Sequence, residues 1–267
     1  MFSIIVCSHR PTRAQFIRGH FDHLFRDHPH EFILIDDAHS LSEGYARGLS
    51  RSTGELLIFS HDDIEFVTPD VPERLARHLG QFDVVGIAGT TRLIDGAWVA
   101  AGDPYCFALV IYPDADGLLV VKCVGAGELC TPGIQALDGC FLACRRNVAE
   151  SLGFDSTNFD GFHLYDLDFS FNAYLKGFRL AVCRDLALIH ASKGKSDDRW
   201  QLYRDRFVTK YRGQLAAGAP GPVRELRVRL PKQKLAQFCE PSALQQTIAR
   251  LGCRRTSPSA DSTGGRI

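Results

Sequence analysis

The sequence predicts an α/β fold in which an open, mostly parallel sheet is flanked by helices. The first sixty residues alternate strand, helix, strand, helix and strand, an order that favours parallel strands joined by right-handed crossovers. The strand segments are continuous apolar runs, which is typical of strands buried on both faces. Acidic residues follow the second and third runs, and sheets of this kind bind ligands outside the carboxyl ends of their strands.

The elements of this first part follow from apolar runs and from residues that start and stop helices. Pro11 stands where the first helix can begin, and apolar residues recur after it at helical spacing. Ser42 is predicted to cap the second helix and Gly54 to end it. The three predicted strands are Phe2–Cys7, Glu31–Ile35 and Leu56–Phe59.

The rest of the chain mixes strands and helices in a less regular order. Ala97–Lys122 contains strand-like runs broken by glycine and proline, which indicates hairpins at the sheet edge. Further strands are predicted at Val84–Ala88, Arg179–Cys183 and Leu186–Ile189, and helices at Val71–Phe82, Arg145–Leu152, Tyr165–Leu175 and Asp198–Leu215.

The chain is predicted to form one large domain followed by a C-terminal extension. Its 267 residues suffice for one α/β domain with a small appendage. Proline, glycine and basic residues become frequent from Gly218 onward, and the closing TSPSADSTGGRI has the composition of a disordered tail. We therefore expect a domain at residues 1–215 and an extension at residues 216–267.

Composition argues against several classes of function. The 31 basic and 31 acidic residues leave no net charge to attract nucleic acid or an anionic membrane. No apolar run is long enough to span a bilayer, and the apolar start is too short for a secretory signal. The nine cysteines include no CxxC pair, so buried free thiols are expected rather than a zinc site. We expect a soluble, cytoplasmic protein without nucleic-acid partners or a transmembrane segment.

Carboxylates cluster at three predicted strand or helix ends. Aspartate is common in turns, so a single pair would also suit an ordinary loop. Three clusters together favour a ligand site at the edge of the sheet. They are Asp36-Asp37 after the second strand, His61-Asp62-Asp63 after the third, and Asp166 with Asp168 at the start of a later helix.

Five segments resemble, in the right order, those of a known enzyme family. FSIIVCSHRPT is similar to its first strand and loop, EFILIDDAHS to its second strand, and GLSRSTGELLIFSHDDIEF to the approach to its metal-binding DxD motif. DGCFLACRR resembles an acceptor-side segment, and GFHLYDLDFSFNAYLKGFRLAVCRDLALIHAS a catalytic helix start followed by a strand and a histidine. The family is that of family 2 glycosyltransferases of the GT-A type. Over residues 2–212, the resemblance implies an inverting, hexosyltransferase-like enzyme that uses a nucleotide-sugar donor.

The resemblance implies a divalent metal, Mn²⁺ or Mg²⁺, on the diphosphate of the donor. Asp63 takes the metal-binding position of the DxD motif. His190 matches a late histidine and is either a further candidate ligand or a strand-end histidine with a structural hydrogen bond. The motif begins here with His61 instead of aspartate. His61 either ligates the metal, contacts the diphosphate, or has a structural role as a capping or core histidine. Imidazole ligands suit Mn²⁺ better than Mg²⁺.

The resemblance also places the donor nucleotide along the first two strands. One of two aspartates after the second strand would bind the base, most naturally the N–H of a uracil, so a UDP-sugar fits best. Arginines at a helix start are more often solvated than bound to phosphate, and this holds for Arg10 and Arg13. The candidate donor-binding residues are Ser8, His9, Arg10, Asp36, Asp37 and Asp62.

Inversion at the anomeric carbon needs one general base, and the resemblance assigns this role to Asp166. A helix start favours an ionised carboxylate. The family has glutamate before this aspartate, where the chain has Tyr165. Asp168 is expected to be a cap partner of the helix. The loop with Lys193 and Lys195 is either a lid over the diphosphate or an ordinary exposed loop.

The sequence argues against two other enzyme classes and leaves one alternative function open. Sugar nucleotidyltransferases and dinucleotide oxidoreductases need a glycine-rich loop after the first strand, but SHRPTR stands there and no glycine occurs before Gly19. A non-catalytic nucleotide-sugar-binding protein stays an alternative, because His61 replaces an expected aspartate. Asp63 and Asp166 favour the enzyme. The acceptor is not identified by the sequence.

Overall fold

The computed structural model describes residues 1–192, 194 and 197–253, which form two seven-stranded sheets with helices packed on them. The strands are β1 (Phe2–Cys7), β2 (His30–Ile35), β3 (Leu56–Ser60), β4 (Ile64–Phe66), β5 (Val84–Gly86), β6 (Ala88–Thr90), β7 (Cys106–Pro113), β8 (Leu119–Val124), β9 (Cys130–Pro132), β10 (Ala136–Leu137), β11 (Phe141–Arg145), β12 (Leu180–Cys183), β13 (Leu188–His190) and β14 (Glu225–Leu230). The helices are α1 (Pro11–Leu24), α2 (Leu41–Arg51), α3 (Val71–Gln81), α4 (Arg146–Leu152), α5 (Tyr165–Leu175), α6 (Asp198–Lys210), α7 (Leu235–Phe238) and α8 (Pro241–Cys253), with a 3-10 turn at Lys232–Lys234.

The first sheet has the strand order β2-β1-β3-β11-β5-β12-β9. β1 pairs in parallel with β2 and β3, and β12 pairs in parallel with β5. β11 and β9 run against their neighbours, so the other five strands share one direction. The predicted open, mostly parallel sheet flanked by helices is confirmed, and the first three predicted strands lie side by side in it.

Both faces of this sheet are covered by helices. Ile4 of β1 packs in one cluster with Phe21 of α1 and Leu75 of α3. The next residue, Ile5, belongs to a second cluster with Tyr45 of α2 and helices α4 and α5. Successive side chains of a strand point to opposite faces, so a strand covered on both faces must be apolar throughout.

The second sheet contains two segments whose predicted positions differ from those in the structure. The β7–β8 hairpin lies in this sheet instead of at the edge of the first one, and the predicted strand Val84–Ala88 divides into β5 and β6, one in each sheet. β14 pairs with β8, and α8 packs on the same sheet through Leu244 and Ile248. The domain boundary at residue 215 stays a prediction, and the tail TSPSADSTGGRI lies outside the described residues. In the described part of the chain, no helix is long and apolar enough to cross a membrane.

The cap of α2 differs from the prediction. Ser40, not Ser42, caps the helix, because it precedes the first helical residue in an extended conformation and accepts a hydrogen bond from the Glu43 N–H at 3.1 Å. The Glu43 carboxylate accepts in return from the His39 N–H at 3.2 Å. The helix ends at Arg51, before Gly54.

Asp168 is not a helix cap partner, which corrects the expectation from the sequence. Leu164 occupies the N-cap position of α5, without a side-chain hydrogen bond. The buried Asp168 carboxylate instead accepts from Lys210 Nζ at 2.6 Å and from the Tyr211 hydroxyl at 2.7 Å. It lies too far into the helix to reach the N–H groups that a cap satisfies, so it joins α5 to the end of α6.

Asp168→Ala is expected to destabilise the fold by about 1–3 kcal/mol, because the Tyr211 hydroxyl loses its carboxylate acceptor at 2.7 Å and keeps only the backbone carbonyl of residue 168 at 3.3 Å. Lys210 keeps Asp155 as a second partner at 2.7 Å, which limits the loss. Urea unfolding measures the difference. Asp205→Ala on α6, at an exposed carboxylate, should stay within about 0.5 kcal/mol of wild type. Equal stability of the two variants would contradict the role of Asp168.

Candidate active site

The carboxyl ends of β2, β1 and β3 lie side by side at one edge of the first sheet. Parallel neighbours end at the same edge, and this brings together residues that are far apart in the sequence. The structure thus places six predicted donor residues and two predicted metal ligands along one edge: Ser8, His9 and Arg10 after β1, Asp36 and Asp37 after β2, and His61, Asp62 and Asp63 after β3.

The three predicted metal ligands lie close together. One ligand atom of each of His61, Asp63 and His190 is within 4.8 Å of the other two. His190 Nε2 is 3.2 Å from Asp63 Oδ1 and 3.3 Å from His61 Nδ1. The sheet explains this proximity, because β13 pairs antiparallel with β4 and sets His190 opposite Ile64.

A hydrogen-bond chain fixes the tautomer of His61. The Tyr165 hydroxyl donates to the Gly139 carbonyl at 2.8 Å, so it accepts from His61 Nε2, also at 2.8 Å. Burial, assisted by the neighbouring His190, lowers the pKa of His61 to about 4, so its ring is neutral at physiological pH. Nδ1 therefore carries a lone pair on the side of His190. The two departures from the family pattern, His61 and Tyr165, contact each other.

Asp63 is held as an ionised carboxylate. Burial alone would raise the pKa of Asp63, but hydrogen bonds from His190 and Ser192 lower it well below its ordinary value. An ionised carboxylate beside imidazole nitrogens is a donor set that suits Mn²⁺ and related divalent ions. The residues of this triad therefore fit a divalent metal.

Asp62 and Arg13 form a network next to the triad. The Ser8 hydroxyl donates to Asp62 Oδ2 at 2.5 Å, and Arg13 Nη1 lies 3.3 Å from Asp62 Oδ1. The same nitrogen is 3.5 Å from Asp63 Oδ2. Arg13 is therefore not a merely solvated charge at a helix start. Arg13 is the third residue of α1 and follows the end of β1 closely, and this position is the signal that the sequence offers.

Asp36 and Asp37 have different surroundings. The Asp37 carboxylate binds Arg47 through two contacts, of 2.7 and 3.2 Å. The Asp36 side chain is exposed, and no partner for it is found among the described residues. His9 Nδ1 donates to the Asp36 carbonyl at 2.8 Å and thereby joins the ends of β1 and β2. Arg10 is exposed at the N-cap of α1.

A cavity of about 720 Å³ opens beside the triad. Its volume is in the range of small-molecule sites. Asp138 was not singled out from the sequence, although it begins the DGCFLACRR segment; here it accepts from Trp98 Nε1 at 3.1 Å. The lining includes His61, Trp98, Asp138, Asp166, His190 and Trp200.

Asp166 lies in the first turn of α5 and faces this cavity. Leu164 precedes it in the left-handed conformation, with φ 61°, which a side chain rarely adopts outside a functional or tightly constrained turn. A Cβ atom at Gly139 would approach Asp166 Cβ, so the glycine is needed for this packing. Burial, and then the charge of Asp138, raise the pKa of Asp166 to about 7. A carboxyl group that titrates near neutral pH suits proton transfer.

A family model described as "Glycosyltransferase like family" matches residues 4–211. The chain belongs to this family. The resemblance inferred from the five segments is thereby confirmed, and every residue of the site lies within the matched range of the glycosyltransferase-like family. A comparison with curated proteins found no match.

This glycosyltransferase-like chain is distantly similar to solved structures, among them a mannosyltransferase and TarS. Mannosyltransferase PcManGT from Pyrobaculum calidifontis, in complex with GDP-Man and Mn²⁺, is 13% identical with a TM-score of 0.45; the match covers 94% of this chain and 72% of that one. S. aureus TarS 1-349, in complex with UDP-GlcNAc, is 12% identical with a TM-score of 0.48, and the match covers 80% and 68% of the two chains.

The loop after β13 borders the cavity of this family member. Ser192, Gly194 and Asp197 contribute to the lining, and Asp197 caps α6 through the N–H of Trp200 at 3.0 Å. Lys193 and Lys195 lie outside the described residues, so a lid over the diphosphate and an ordinary exposed loop both stay open as predictions.

Proposed function

We propose that the protein transfers a sugar from a nucleotide-sugar donor to an acceptor hydroxyl with inversion. One observation carries the proposal: the two imidazoles of the triad and a carboxyl group with a pKa of about 7 line a single cavity of about 720 Å³, and the ionised Asp63 carboxylate beside those imidazoles borders an adjoining cavity of about 280 Å³. The first set suits a metal-bound diphosphate, and the second group suits the removal of a proton.

The donor half of the site is assigned to the ends of the first three strands. Asp63, His61 and His190 would hold Mn²⁺ or Mg²⁺, which stabilises the negative charge that develops on the departing diphosphate. Tyr165 keeps His61 in the tautomer whose Nδ1 can bind the ion. Ser8 and Arg13 fix the Asp62 carboxylate beside the diphosphate position.

The nucleotide base is assigned to Asp36 in preference to Asp37. Arg47 already neutralises Asp37, whereas the Asp36 carboxylate is exposed at the end of β2. A carboxylate accepts hydrogen bonds only, so it suits a base edge that offers an N–H, such as the ring N–H of uracil. We therefore propose a UDP-sugar as the donor, with His9 and Arg10 beside its nucleoside.

The acceptor half is assigned to the wall formed by α5 and the two tryptophans. Asp166 takes the proton of the acceptor hydroxyl while the hydroxyl oxygen forms a bond to the anomeric carbon and the bond to the diphosphate breaks. Trp98 and Trp200 offer flat apolar surfaces that can orient the acceptor. Trp98 also holds Asp138, whose charge helps keep the pKa of Asp166 near neutral.

A non-catalytic nucleotide-sugar-binding protein is the second candidate, since His61 stands where the family has aspartate. A thermal-shift screen of nucleotide-sugars with and without Mn²⁺ identifies the donor, because a ligand that binds the folded state raises the melting temperature. Donor hydrolysis then separates the candidates. The enzyme should release nucleoside diphosphate in the presence of Mn²⁺, whereas a binder that is stabilised by the donor should release none.

The transfer rate is expected to rise with pH through a midpoint near 7. Asp166 must be ionised to accept a proton, and its pKa is raised to about 7. Below that pH the carboxyl group is protonated and inactive. Asp138→Asn removes the neighbouring charge, so the midpoint should move to lower pH while burial keeps it above the value of an exposed aspartate.

The measurement is kcat against pH at saturating donor and metal concentrations. Asp205→Asn, an exposed change on α6, serves as the control and should leave the profile in place. A midpoint that is the same in wild type and in Asp138→Asn would show that a group other than Asp166 controls the rate.

A further inference from the structure

A second group of metal-ligand side chains lies at β9, the edge strand of the first sheet. It consists of His78 on α3, Cys130 on β9 and Cys183 on β12, and one ligand atom of each lies within 4.8 Å of the other two. None of the three is among the described residues that line the 720 Å³ cavity. The cluster is therefore separate from the site proposed for the donor.

The two thiols are spaced as zinc ligands are. Cys130 and Cys183 stand opposite each other in the antiparallel β9·β12 pair, with their Sγ atoms 3.5 Å apart. Two thiolates on one tetrahedral zinc ion, each about 2.3 Å from the metal, lie about 3.8 Å from each other. The observed separation differs from this by only a few tenths of an ångström, so backbone rearrangement is not required.

His78 has the carboxylate partner that zinc-binding histidines usually have. It is buried, and its Nε2 lies 2.9 Å from Asp185 Oδ1 and 3.0 Å from Oδ2. Asp185 is itself held by Arg77 at 2.9 Å. A carboxylate on one ring nitrogen fixes the orientation of the imidazole and leaves the other nitrogen for the metal.

We propose that His78, Cys130 and Cys183 form a zinc-binding site. Thiolate and imidazole ligands select Zn²⁺ over Mg²⁺ and Mn²⁺, which distinguishes this site from the triad of Asp63. The half-buried Cys130 borders a cavity of about 510 Å³, from which a water molecule would supply the fourth ligand. Bound zinc joins α3 and the edge strand β9 to β12, and thereby stabilises this end of the sheet.

The test uses the full chain, stripped of metal by a chelator, kept reduced, loaded with Zn²⁺ or Co²⁺, and desalted. Zinc should be retained at an equimolar ratio and should raise the melting temperature. The Co²⁺ form should show thiolate-to-cobalt charge-transfer absorption, which a site of imidazole and carboxylate lacks. Removing a residue that only hydrogen-bonds to a metal-binding histidine lowers metal affinity by about 10–100-fold. Cys130 and Cys183 would bind the metal directly, so Cys130→Ser and Cys183→Ser should each lower zinc affinity by at least that factor.

Two control variants should keep the zinc and the cobalt absorption. Cys106→Ser changes a buried thiol outside the cluster, and Asp63→Ala changes the other candidate metal site. Cys130 is half-buried on a short edge strand, so Cys130→Ser is the variant that should fold, as circular dichroism can verify. Absence of cobalt–thiolate absorption in folded, reduced wild type would overturn the proposal, and so would its persistence in both cysteine variants.

Discussion

Replacing Asp166 with asparagine is expected to slow sugar transfer by about 10²–10⁴-fold, the usual contribution of a general base. Asparagine has the same shape as aspartate but cannot accept the proton of the acceptor hydroxyl. Donor affinity should stay near that of wild type, since Asp166 lies on α5 and the proposed donor residues lie at the ends of β1, β2 and β3. A lost rate with retained binding is what a group acting in the transition state produces. Transfer kinetics and calorimetry with nucleoside diphosphate measure the two quantities.

Asp168→Asn is the matched control for this prediction. It makes the same chemical change two residues along the helix, at a carboxylate that binds Lys210 and Tyr211. Its folded fraction should transfer sugar at the wild-type rate. If Asp166→Asn keeps near wild-type activity, Asp138 becomes the next candidate base, because it lines the same cavity. If the folded wild-type protein neither transfers sugar from nor hydrolyses any common nucleotide-sugar, the result favours the alternative of a non-catalytic nucleotide-sugar-binding protein.

The first sheet was predictable from the sequence because of how it is buried. Residues such as Ile4 and Ile5 pack against helices on opposite faces, so β1 reads as one apolar run. β14 was missed, although ELRVRL alternates apolar and charged residues as a half-exposed strand does. Its arginines stand in a segment whose rise in proline, glycine and basic residues predicts only a C-terminal extension. β9 and β10 are too short to show any period.

The site was only partly predictable, since its decisive contacts join distant parts of the chain. Sequence motifs were enough to predict Asp63 and His190 as candidate metal ligands, because each follows a recognisable apolar strand. His61 and Tyr165 are 104 residues apart, so their hydrogen bond was not visible and each looked like a separate departure from the family. The proposed zinc ligands also lie far apart in the sequence, on α3, β9 and β12, so they form no motif of short, regular spacing that could be recognised from the sequence.

Asp63→Ala is expected to abolish metal-stimulated turnover, with a loss of about 10³-fold or more. A metal ion contributes several kcal/mol of charge stabilisation in the transition state, and each 1.36 kcal/mol corresponds to about tenfold in rate. Asp63 is the one carboxylate of the triad, so its removal leaves only the imidazole nitrogens of His61 and His190 to hold the ion. Nucleoside-diphosphate binding should therefore weaken and lose its dependence on Mn²⁺. Calorimetry with and without Mn²⁺ measures this directly.

Controls for Asp63→Ala lie in the same segment. Glu65→Gln changes a carboxylate two residues away that binds Lys232, and it should leave the Mn²⁺ dependence intact. His61→Ala should cost less than Asp63→Ala, because it removes a neutral ligand and leaves the charge in place. Arg13 retains Asp62 as a partner when Asp63 is lost, so the fold should survive, as circular dichroism can verify. Unchanged Mn²⁺ dependence in folded Asp63→Ala would mean that the ion binds elsewhere or is not used, and the metal half of the proposed mechanism would then fail.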